Sequence, residues 1–105
     1  MIGEALKGHL DLLLLAVLEG GPAHGYRIIE TLRSRSGGTF DLPEGTIYPA
    51  LHRLEEDGLL ASEWFEDHGR RKRIYHLTSS GKQALVTRQE EWRRFARAVD
   101  ATVGG

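Results

Sequence analysis

The sequence predicts an α+β fold, mainly α, in the order helix, helix, helix, hairpin, helix. Three observations predict it. The run from Gly45 to Leu60 carries a buried stripe at Ile47, Leu51 and Leu54, spaced i, i+4, i+7, and stops at Gly58, where a left-handed cap is cheapest. Two segments rich in aromatic and branched residues, Leu60–Phe65 and Ile74–Thr78, flank Asp67-His68-Gly69 and the cations Arg70–Arg73, which is a hairpin signal. Beyond them, Leu85, Trp92 and Val99 recur every seven residues, with Arg88, Phe95 and Thr102 three later, an a/d seam of the kind that pairs helices. A helix followed by a basic hairpin is the outline of a winged helix-turn-helix, here with a long C-terminal dimerisation helix. The expected division is residues 1–78 for the winged domain and 79–105 for the last helix, packed on the same domain.

Each element has its own local reason. A first helix is expected from about Ala5 to Glu19, apolar on nearly every side, so it needs cover on more than one face and a second subunit is the expected second cover. Gly20-Gly21-Pro22 ends it. A second helix runs from about His24 to Ser34, burying Ile28, Ile29 and Leu32; Gly25 near its start is poor for a helix and suggests the close approach of another helix or a backbone. Ser34 to Glu44 reads as a loop, with Thr39–Leu42 as a brief strand. Pro43 sits ahead of the third helix or in its first turn, where proline is tolerated. Tyr75 and Leu77 share one face of the second hairpin strand and should pack on the helices, leaving Arg70–Arg73 in water. Thr78 or Ser79 caps a last helix reaching about Val103, some 24 residues or about 36 Å long.

Bulk properties narrow the classes. With 105 residues the chain is one domain with a modest core, and 40% hydrophobic against 28% charged is ordinary for a globular chain. There is no cysteine, which removes disulfides and thiolate zinc sites. The apolar run Leu12–Leu18 is too short to span a membrane, and Met1 is followed by Ile-Gly-Glu-Ala rather than a basic leader, so a cytoplasmic, nucleoid-associated protein with no membrane partner is expected. Net charge of −1 argues mildly against nucleic acid, but the four cations at Arg70–Arg73 are consecutive while the acids gather elsewhere. His9, His24, His52, His68 and His76 are scattered without a His-x-x-x-His pair, and no glycine-rich phosphate loop or nucleophile motif appears. Neither an enzyme, a metal site nor a cofactor is expected.

The residues also carry a family resemblance. His24-Gly25-Tyr26, then Gly45-Thr46-Ile47-Tyr48-Pro49 with Leu51 and Arg53-Leu54-Glu55, then Gly58-Leu59, then Tyr75-His76-Leu77-Thr78 and Gly81, closely resemble the PadR family of transcriptional regulators. The resemblance spans about His24 to Leu85. It implies a winged-helix homodimer that usually represses its own gene and a neighbouring transporter or stress operon. A single C-terminal helix looks like the small subclass, whose members include sensors of drugs and aromatic compounds.

The expected contacts follow from placing the third helix in a major groove of a double-stranded DNA operator. Thr46, Tyr48 and Pro49, read as its first turn, would meet backbone or base edges. Arg53 reads as a phosphate or guanine contact, or else as an ion pair with Glu55 or Glu56. Tyr26 donates to a phosphate or is a core tyrosine. Arg70, Arg71 and Lys72 at the wing lie along the adjacent backbone or form a solvated face. The dimer interface is expected at Leu10, Leu14, Leu85, Trp92, Phe95 and Val99, with a last helix folded back on its own domain as the alternative. Trp64 and Trp92 would line a pocket for a small aromatic effector between subunits, or simply pack. The competing function is a winged helix that holds a protein partner without specific DNA binding.

Overall fold

The computed structural model describes residues 9–104. Among them α1 (Leu10–Glu19), β1 (Ala23–His24), α2 (Gly25–Arg35), α3 (Glu44–Glu56), β2 (Leu60–Asp67), β3 (Arg70–Leu77) and α4 (Ser79–Val103) follow in order. The part of the expected first helix before residue 9 lies outside the described residues. The sheet is antiparallel in the order β1-β3-β2, so β3 is central. The expected strand at Thr39–Leu42 does not form: Phe40 there rests on the core, and its amide bonds the Ser36 hydroxyl at 2.8 Å. The third strand is instead Ala23–His24, paired with Tyr75 and Ile74.

One core fills the space between the helices and the inner face of the sheet. Leu14 and Leu15 of α1, Ile28 and Leu32 of α2, Ile47, Leu51 and Leu54 of α3, Leu60, Tyr75 and Leu85 are all buried. α1 lies at the centre, touching α2, α3, β3 and α4. Its own chain buries Leu10, Leu14, Leu15, Val17 and Leu18, while Leu12, Leu13 and Ala16 stay half-buried. Truncating a residue such as Leu51 to alanine would cost about 2–5 kcal/mol, since the cavity adds to the lost transfer energy.

Helix ends are fixed by local chemistry. α3 closes in a Schellman motif: Gly58 has φ of 78°, its amide bonds the Glu55 carbonyl at 3.0 Å, and Leu59 N–H donates to Leu54 at 3.0 Å. Thr78 begins α4 by accepting from Gly81 N–H at 3.0 Å while its own hydroxyl donates to the Gly58 carbonyl at 2.6 Å. A side chain at Gly81 would strike the Leu59 carbonyl, so the first turn of α4 sits directly on the chain leaving α3. One threonine and two glycines thus join the third helix, the wing and the last helix.

Candidate nucleic-acid interface

The candidate interface begins where β1 passes into α2. His24 is extended at φ −82° and ψ 162°, and its Nδ1 accepts the Arg27 amide at 3.2 Å, capping the helix. Burial foremost, then the charges of Lys72 and Arg27, holds the imidazole below its ordinary value of 6.5, in keeping with a neutral acceptor. Gly25 follows, and a Cβ there would collide with the ring of Tyr48. The close approach expected at Gly25 is real, but it is made by a side chain of α3. Burial, helped by Glu44, raises the Tyr48 phenol above its usual range, so its hydroxyl remains a donor. Tyr26 is exposed, which sets aside a core role.

α3 begins at Glu44, with the Pro43 carbonyl accepting from Thr46 and Ile47 at 3.0 and 3.2 Å. Tyr48 and Pro49 therefore fall in the second turn, one turn later than expected. Pro49 cannot supply the amide hydrogen that would bond the Gly45 carbonyl.

The wing turns at His68 and Gly69, both at positive φ (50° and 77°), the geometry of a two-residue hairpin whose twist matches its strands. Both strands run longer than expected, so Arg70–Arg73 belong to β3 and alternate between its faces. The cations of the run therefore differ in their partners, although all four line one cavity. Arg73 turns toward α3, with Nε on the Ser62 hydroxyl at 2.8 Å and a terminal nitrogen 3.3 Å from Glu55, which itself accepts from Ser62 at 2.7 Å. Lys72 reaches Asp67 at 3.7 Å. Arg71 lies over the indole of Trp64, 4.7 Å from its centroid.

These elements meet around one cavity between α3 and the wing. Tyr26 and Tyr48 border it on the helical side, Trp64, Arg70, Arg71 and Lys72 on the other. Thr46, Pro49 and Arg53 are not among its lining residues. Arg53 does form an intrachain ion pair, but with neither expected acid: its partner is Asp11 of α1 at 2.6 Å, and Asp11 also holds Arg88 of α4 at 3.3 Å. His24, His52, Glu55 and Ser62 also belong to this region; His24 and Glu55 stand in the family motif, whereas nothing in the sequence pattern marked Ser62.

The expected dimer surface divides. Leu14 and Leu85, at 0% and 1% exposure, have no surface left for a partner, and Leu10 joins them in the core. Of the heptad Leu85, Trp92 and Val99, only Leu85 packs into the core of its own chain. Trp92, Phe95 and Val99 remain exposed further along α4, at 43%, 55% and 40%. Trp92 meets His9 edge-on at 5.0 Å and Phe95 at 5.9 Å, beside a second cavity between α1 and α4 that Arg88 also lines. The two tryptophans expected in one pocket thus stand in different cavities of the chain, Trp64 at the wing and Trp92 on α4. Among the described residues no helix is long and apolar enough to cross a membrane.

Residues 14–87 match the transcriptional regulator PadR-like family. The chain is 42% identical over 76 residues to the transcriptional regulator Rv3488 of Mycobacterium tuberculosis, covering 72% of this chain and 68% of that one. Among solved structures it resembles a PadR family transcriptional regulator from Eggerthella lenta, with a TM-score of 0.86 and 30% identity over 98% of this chain and 88% of that one. A PadR family transcription regulator from Clostridium difficile gives 0.76 and 34% over 92% and 99%.

Proposed function

This chain belongs to the PadR-like family of transcriptional regulators, not of enzymes, and from that premise we propose that it binds a duplex DNA operator as a homodimer and represses transcription. The observation that carries the reading is the cavity between α3 and the wing, bordered by two phenols and the cations Arg70–Lys72. α3 enters a major groove with Thr46 and Pro49 toward base edges, Tyr26 and Tyr48 donate to phosphates, and the wing follows the adjacent backbone. In this reading Arg53 fixes α3 through Asp11.

The dimer reading rests on Trp92, Phe95 and Val99, which one chain leaves exposed along a helix of 25 residues. Pairing that stripe with a second copy sets two recognition helices about 34 Å apart, one DNA turn. An aromatic effector would sit beside Trp92, where His9, Phe95 and Arg88 line the cavity, and would act through unequal affinity for DNA-competent and incompetent spacings. Tryptophan fluorescence that ignores a panel of planar phenolic and cationic compounds counts against the effector.

The deciding experiment is a gel shift on the upstream region of the protein's own gene, with unrelated DNA as competitor and salt varied. A retarded band that resists competitor is expected, with affinity falling steeply as salt rises because each neutralised phosphate releases counterion. Weak binding, equal on all sequences and lost at modest salt, overturns the reading in favour of a winged helix that holds a protein partner.

A further inference from the structure

Trp64 is half-exposed on β2, on the face of the hairpin that looks toward α3. It stands directly across from Arg73 and diagonal to Arg71. Both guanidinium groups lie within cation–π range of its ring, at 4.7 Å for Arg71 and 5.3 Å for Arg73. Their situations otherwise differ. Arg73 is committed to Glu55 and Ser62. Among the described residues Arg71 has no carboxylate within ion-pair distance and no side-chain hydrogen bond, although Glu66 is its cross-strand neighbour.

A guanidinium held over a ring by a cation–π contact uses no N–H donor in an ion pair. The N–H donors of Arg71 lie in its plane and stay free for a planar, bidentate acceptor. The indole restricts a long side chain that would otherwise lose rotamer freedom on binding. Glu55, Ser62 and Arg73 meanwhile fix the wing against α3, so the platform is itself held.

We infer that Trp64 is a positioning residue for DNA, a platform that holds Arg71 with its N–H edge toward an operator phosphate, rather than part of an effector pocket. The inference deepens the DNA-binding reading and rests on it.

The test is a double-mutant cycle read by operator titration, with Trp64→Leu, Trp64→Phe, Arg71→Ala and the double variant Trp64→Leu/Arg71→Ala. Trp64→Leu should weaken binding about two- to five-fold per wing, the strength of an exposed cation–π pair. Trp64→Phe should restore most of that loss, because a ring remains. In the double variant, Trp64→Leu should add nothing to the effect of Arg71→Ala. Since the chain has two tryptophans, the fluorescence difference between wild type and Trp64→Phe isolates Trp64, and it should change on adding operator. Full affinity in Trp64→Leu, with wild type binding normally, overturns the inference alone. Additive losses in the double variant overturn the holding role and make Trp64 a direct contact. Failure of the wild type to bind DNA overturns the underlying reading and the inference with it.

Discussion

At the scale of single residues, Gly25 and His24 show how a small motif sets the junction of α2 with α3. Gly25 is glycine because the ring of Tyr48 occupies the place of its side chain. Gly25→Ala should destabilise the fold by about 1–3 kcal/mol through overpacking, read as a lower urea midpoint. The cost should shrink in Gly25→Ala/Tyr48→Ala, where the ring is gone, and persist in Gly25→Ala/Tyr48→Phe. His24 adds a pH dependence. Its folded pKa lies below 6.5, so as pH falls the unfolded chain takes up this proton first. Stability from neutral His24 is therefore complete above about pH 6.5 and declines as pH drops from there through the folded value. His24→Asn retains an acceptor at the cap, and thermal unfolding from pH 7.5 down to 5.5 should show a shallower decline than wild type. Sequence alone marked Gly25 as a place of close approach. It did not identify Tyr48 as the group approaching, because the two are 23 positions apart and only the α2–α3 crossing brings them together.

At the scale of elements, the wing and the last helix depend on connections that cross between elements. Thr78 caps α4 and bonds the C-terminal stop of α3 at once. Thr78→Ala should cost about 1–2 kcal/mol in chemical denaturation, while Thr78→Ser keeps most of the stability. In the wing, neighbouring arginines should separate by role. Arg71→Ala should weaken binding to every sequence and lower the salt slope by about one per site, as expected when a phosphate contact is lost. Arg73→Ala should leave that slope near the wild-type value, since Arg73 spends its charge on Glu55. Equal slopes for the two variants would remove this distinction. The hairpin was legible from its aromatic and branched residues, but the separation of Arg71 from Arg73 was not. A charge run looks uniform until its strand register is known, and here the ladder pairs Arg73 with Trp64 and Arg71 with Glu66.

At the scale of the whole molecule, α4 carries the outstanding question of assembly. The body measures 54 × 28 × 20 Å, longer than one core requires, and α4 beyond Leu85 leaves Trp92, Phe95, Val99 and Val103 uncovered along one helix. Sedimentation at micromolar concentration should give twice the chain mass of 11.7 kDa. Trp92→Ser/Phe95→Ser should shift the population toward single chains, whereas a core change at Leu85 should lower stability. Asp11 ties this helix to the rest by holding Arg88 of α4 and Arg53 of α3 together. No sequence pattern proposed that link, because its members lie 42 and 77 positions apart.

By itself the sequence determined the helical segments, their stops, the hairpin and the family, because these depend on periodicity, capping and turn residues that act over a few positions. Gly58 was readable as a left-handed stop and Thr78 as a cap because each does its work within one turn of helix. The tertiary structure alone decided that Ala23–His24 completes the sheet, that Leu14 and Leu85 are core rather than interface, and that Arg53 answers to Asp11. It also decided that Trp64 and Trp92 serve different cavities. Apolar spacing marks a face to be covered but is the same whether the cover is a neighbouring helix or a second subunit. Charge and aromatic partners are chosen by distance in space, which follows only once the helices cross and the strands take their register.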